Sequence, residues 1–218
     1  MGRRHYGSPC PPPPARGRSR GPGSRLAAGA TLADALAVVA IASAAAAVAA
    51  PSVKNLQEAV AIRSAASQVT AAFFRARAYA IARGVYVGLK FRRNGNSYEW
   101  TLYQDGNGNG IRTAEINRGV DRPVGVFYPW SRGDVRPGIL SGQPVPDPSS
   151  FGQFLDRPDD PIRFNSSDIC SFSPQGESTP GSVYLWDGHD RMAVVRVYGR
   201  SAKVRTLYYR RGESEWKP

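Results

Sequence analysis

Between Gly29 and Pro51 the chain runs through twenty-one residues, Ala30 to Ala50, that are all apolar or small except for one acid, Asp34. A helix rises about 1.5 Å per residue, so the run reaches roughly 30 Å, the thickness of a bilayer's hydrocarbon core. Arginines precede it without any acid, and positive charge before an apolar span holds the N-terminus in the cytoplasm and sends the rest outward. Three readings stand: a membrane-anchored helix, a soluble helix needing a large core all round it, and a secretory signal peptide cut near Ala49. The apolar part of a signal peptide is usually about 7–15 residues without an acid. Length and Asp34 therefore favour the anchor. A carboxylate inside such a span is costly, which points to a function for it.

Proline, glycine, arginine and serine dominate residues 1–25, a composition that cannot bury apolar area and reads as disordered. The chain has a formal charge of +12, and the six arginines before Ala30 (Arg3, Arg4, Arg16, Arg18, Arg20 and Arg25) supply half of it. The remainder is still basic, compatible with solubility alone or with an anionic partner. Cys10 lies in this N-terminal stretch and Cys170 far from it. A chain shortened at Ala30 would hold one thiol, no internal disulfide, and a head resting on its core alone. With His5 and His189 the only histidines, no zinc constellation assembles.

After Pro51 the pattern becomes amphipathic. Ile62, Ala66, Val69, Phe73, Ala76 and Ala80 recur at alternating four and three residues, one face of a helix that Gly84 stops. Arg63, Arg75 and Arg77 fall off that stripe and are expected to face water or a neighbouring subunit. From Val85 the period switches to two. Val85–Phe91 and Tyr98–Tyr103 flank Asn94-Gly95-Asn96, a hairpin signal. Further strands are expected at Val124–Tyr128, Ile162–Asn165, Cys170–Ser173, Ser182–Trp186, Met192–Val197 and Val204–Tyr209, with a long surface loop over 131–161. The fold class is α+β: a long N-terminal helix, half membrane-spanning (30–50) and half amphipathic (51–84), packed on an antiparallel β head (85–218).

Gly29-Ala30-Thr31-Leu32-Ala33-Asp34 resembles the cleavage motif of type IV prepilins, Gly-Phe-Thr-Leu-x-Glu, with Ala30 in place of phenylalanine and Asp34 in place of glutamate. Arg75-Ala76-Arg77-Ala78-Tyr79-Ala80-Ile81-Ala82-Arg83-Gly84 resembles a segment of the GspH/FimT group of pseudopilins and minor pilins. The likeness is close from Gly29 to about Leu89 and loose over the C-terminal strands. It implies a pilin-like fold and removal of residues 1–29 by a prepilin peptidase at Gly29–Ala30. It also implies methylation of the new Ala30 amine and a kink at Pro51. Asp34 would then neutralise a neighbouring subunit's terminal amine within a filament of a pilus or type II secretion pseudopilus. The location implied is the bacterial inner membrane, with the head outside the cytoplasm. The competing expectation is an exported envelope or DNA-binding protein.

Two further constellations carry chemistry. Asp105, Asn107 and Asn109 put oxygen side chains at positions 1, 3 and 5 of a loop with Gly110 at 6, the opening of a calcium loop. Its twelfth position is Ile116, with Glu115 one residue early, so a glycine-rich turn competes. Late in the chain Arg191, Arg196, Arg200, Lys203, Arg205, Arg210 and Arg211 interleave with Tyr198, Tyr208 and Tyr209, a mixture that suits nucleic acid. Gly199-Arg200 resembles the start of a motif through which some members of the group bind DNA, although Lys203 and Arg205 do not keep its close arginine spacing. A charged edge strand that resists aggregation competes with that reading. Asp187-Gly188-His189-Asp190 is read as a tight turn. With no nucleophile or second histidine beside it, the chain is not expected to be an enzyme, and no organic cofactor is expected.

Overall fold

Ala76 and Ala80 in place of larger side chains let one helix lie close against a sheet, and the computed structural model shows that arrangement. Residues 31–95, 97–125, 128–129 and 135–218 are described. Helix α1 spans Leu32–Arg83 and is assigned without a break through Pro51. Residues 48–218 pack as one unit, while the helix before Val48 belongs to another. Gly84 ends α1 because its φ of 65° is a left-handed conformation that a side chain would disfavour. The turn closes by bonds from Gly84 N to the Ile81 carbonyl and from Val85 N to the Ala80 carbonyl.

Among the described residues the strands pair antiparallel, in two five-stranded sheets. The first has the order β3 (Arg122–Pro123), β2 (Ser97–Gln104), β1 (Val87–Asn94), β7 (Ile169–Phe172), and β4 (Tyr128–Pro129) also pairs with β2. The second has the order β10 (Lys203–Arg210), β9 (Arg191–Tyr198), β8 (Gly181–Trp186), β5 (Arg136–Pro137), and β6 (Ile162–Arg163) also pairs with β8. The β1–β2 hairpin runs in register from Val87 opposite Gln104 to Asn94 opposite Ser97. Of the strand expected over Val124–Tyr128, Val124 and Gly125 lie in no strand, residues 126 and 127 lie outside the described residues, and Tyr128 begins β4.

The predicted stripe is the core. Ile62, Ala66, Val69, Phe73, Ala76 and Ala80 are all buried, joined by Ala65 and Ala72. Phe73 sits at its centre, fully buried, with its ring centroid 5.9 Å from Phe164 and 6.4 Å from both Phe91 and Phe172. It thereby touches β1 and β7 of the first sheet and the segment after β6 of the second. Polar contacts fix the crossing: the Arg63 guanidinium lies 5.3 Å from the Tyr208 ring centroid, and Arg191 bonds to the Asn55 carbonyl near Glu58.

Each sheet also buries its outer face. Helix α2 (Thr113–Arg118) was not expected from the sequence; with Ile111 it covers Tyr103 and Ile169 on the first sheet. On the second, Ile139, Leu140 and Val145 pack over Tyr184, Met192, Val194 and Tyr209, with Trp216 alongside. That corrects the surface loop drawn over 131–161. Its described part contains β5 and a bridge between Pro146 and Phe154, and Ile139, Leu140 and Val145 join a second core while Phe151 and Phe154 stay exposed. Arg77, expected to face water or a neighbouring subunit, is half-buried against the head, and its Nε has no hydrogen-bond partner.

Candidate functional site

Thr31 and Asp34 build the start of α1. The Thr31 backbone N–H and hydroxyl both donate to Asp34 Oδ2, at 2.9 and 2.8 Å, while Asp34 N–H donates to Thr31 Oγ1 at 3.2 Å. This is a capping box closed by aspartate, which satisfies orphan donors at the helix start. The shorter acid still reaches, so replacing glutamate by Asp34 leaves the local carboxylate in place. Leu32 follows in the first turn and is exposed. Gly29 and Ala30 lie outside the described residues, as does the leader. α1 is long and apolar enough to cross a membrane, by length and composition, and its apolar window is unburied.

The second half of α1 has two faces. Away from the core stripe, Val53, Leu56, Val60, Phe74 and Ile81 are exposed. Val53, Val60, Phe74 and Ile81 are separated by multiples of seven residues, almost two helical turns, so they line up along one side. Single exposed apolar residues are ordinary; a row of them on a helix already packed on its other side marks a candidate interaction surface. The sequence reading found the buried stripe and missed this one, although the seven-residue spacing was there to be seen.

At the far end of the second sheet, register brings the basic residues together. Arg205 stands opposite Arg196, and Lys203 opposite Tyr198. Arg200 lies in the turn between these strands, and Arg200, Lys203 and Arg205 are all exposed. The Arg196 guanidinium covers the Tyr198 ring at 5.7 Å and bonds to Ser149. By contrast Arg191 and Arg211 are engaged with Glu58 and Asp190, so the basic cluster of the sequence divides into a free end and a paired end. Asp187 closes the β8–β9 turn, its Oδ1 accepting from the backbones of His189 and Arg191.

The Asp105 loop folds around its own carboxylates. Asp105 Oδ1 accepts from the N–H groups of Asn107 and Gly108 at 2.9 Å, and Oδ2 from Gly110 at 2.6 Å. Gly110 has φ 90°, a conformation that the sixth position of such a loop requires. Asn107 and Asn109 both donate their side-chain amides to Glu115 Oε1, at 3.2 and 2.9 Å. The bond from Asn109, then that from Asn107, holds the Glu115 carboxyl below its ordinary range despite an opposing desolvation effect. Asp121 closes the base of the loop, accepting from Gly106 and Arg112 N–H. Among the described residues no three His, Cys, Asp or Glu side chains converge as a ready metal cage.

The family model of the type II transport protein GspH matches residues 65–200, more than half of the chain. No curated protein and no solved structure matches the chain. The matched region begins on the buried stripe of α1 and takes in both sheets as far as the β9–β10 turn. Its helix-on-sheet architecture and the apolar helix preceding it fit a membrane-anchored pseudopilin, a structural subunit of type II secretion. The chain belongs to the GspH family of type II transport proteins.

Proposed function

We propose that the chain is inserted in the bacterial inner membrane by residues 30–50 and cut between Gly29 and Ala30 by a prepilin peptidase. The Ala30 amine is then methylated, and the subunit joins a type II secretion pseudopilus or a type IV pilus. The observation that carries this reading is the exposed row Val53, Val60, Phe74 and Ile81 beside a helix face already filled by the head. In a filament this row packs against α1 of other subunits. Asp34, besides capping its own helix, offsets a neighbour's terminal amine, since a charge in apolar surroundings persists only when paired.

Phe74→Glu with Ile81→Glu tests the row. Both positions are about half exposed, at 52% and 51%, so the head is expected to fold normally. Charge on the row is expected to prevent co-purification and cross-linking with partner pseudopilins. Undiminished incorporation into the assembly would contradict the reading.

A second reading, DNA binding, rests on the Arg196–Arg205 and Tyr198–Lys203 pairs, which set cations beside an aromatic ring at one sheet end. Phosphate contacts there give an affinity that falls steeply with salt and depends little on sequence. Arg200→Ala with Arg205→Ala is expected to weaken duplex binding by the detergent-solubilised chain and to lower the salt slope by about two charges. Absence of binding by the unmutated chain at low salt rejects this reading and leaves a solvated face.

A further inference from the structure

Glu115 is 8% exposed, and its Oε2 is buried without a hydrogen-bond partner. An ionised carboxylate oxygen left bare in such a place is costly, and a cation is one way to satisfy it. The other oxygen of the same group faces the amides of Asn107 and Asn109, the third and fifth positions of the loop that Asp105 begins. By spacing alone Glu115 is one residue early for a twelve-residue calcium loop. Helix α2 nevertheless carries it back across the loop to those positions.

We propose that Asp105, Asn107, Asn109 and Glu115 bind one calcium ion. The two amides turn over so that their oxygens, not their N–H groups, face the ion and Glu115. Asp105 keeps its three backbone bonds, two on Oδ1 and one on Oδ2, and coordinates through the lone pair left on Oδ2. Asp121 stays outside the coordination sphere and holds the two ends of the loop together through Gly106 and Arg112. All the donors are oxygen, which suits a hard cation and not zinc or copper. A glycine-rich loop adapts to the irregular six- to eight-fold shell of calcium more readily than to the strict octahedron of magnesium. Two carboxylates supply the charge, and Arg112 and Arg118 near Glu115 oppose it. The affinity expected is that of extracellular calcium modules, about 10⁻⁴ to 10⁻³ M.

Calorimetric titration of the full-length chain in detergent with calcium chloride tests this. One saturable site per chain is expected, with no matching heat from magnesium, and Glu115→Gln should weaken it about tenfold or more. Asn107→Asp moves in the opposite direction. It places a second carboxylate against Glu115, so its Tm without metal should fall, its calcium affinity should rise, and calcium should restore the Tm. That variant keeps the proposal falsifiable if Glu115→Gln fails to fold. Absence of saturable binding up to about 10 mM calcium overturns the site. So does equal binding of magnesium, unchanged affinity in Glu115→Gln, or a metal-independent Tm in Asn107→Asp.

Discussion

Phe73→Ala is expected to cost about 3–5 kcal/mol, the range for a fully buried aromatic whose cavity cannot collapse. The site has little freedom to collapse. Rings from Phe91, Phe164 and Phe172 surround it from two sheets, and Phe91 and Phe164 already stack at 6.0 Å with an interplanar angle of 4°. A loss of that size is a large share of the about 5–15 kcal/mol that stabilises a typical domain. The next residue supplies the control. Phe74 is exposed, so Phe74→Ala should stay within about 0.5 kcal/mol. Urea titration of the detergent-solubilised chain, followed by tryptophan fluorescence, compares the two. Equal losses at both positions would mean that α1 presents a different face to the head.

Gly29→Val is expected to leave a full-length precursor in the membrane fraction. Prepilin processing, as the motif implies it, needs a residue without a side chain before the scissile bond. A branched residue there blocks the peptidase without touching the head, since position 29 precedes the helix that begins at Leu32. On a denaturing gel the unmutated chain should be shorter by its leader and the variant should not. A variant that matures to normal size would mean that Gly29 is not the cleavage site.

The helix and its buried face were legible in the sequence because periodicity reports directly on burial. The period of 3.6 from Ile62 to Ala80 and the period of two in Leu89, Phe91 and Val195, Val197 each name one buried side. The separation into two sheets was not legible, because β9 is buried on both faces. Met192 to Val195 read as a continuous apolar run that says nothing about what lies on each side. The segment over 131–161 misled for a related reason. Its prolines and glycines resemble a solvated loop, while three of its apolar residues, Ile139, Leu140 and Val145, cover the outer face of the second sheet from outside any strand or helix. Such burial follows from tertiary contact and leaves no period. In the Asp105 loop, counting positions recognised the opening residues but set Glu115 aside. Gly119, in the left-handed conformation at φ 74°, ends α2 and was a usable sign of the helix that returns Glu115 to the loop. The capping of α1 by Thr31 and Asp34 was legible as a motif of a family, though not as a hydrogen-bonded helix start.

The most direct test of the proposed function is the mass and sequence of the N-terminal peptide of the mature chain purified from membranes. Processing and assembly as a pseudopilin predict a chain that begins at Ala30 and carries one added methyl group on its amine. A chain beginning at Ala50 or Pro51 would show that the apolar run is a cleaved signal peptide. It would then remove the membrane half of the helix, and with it Asp34, from the working protein.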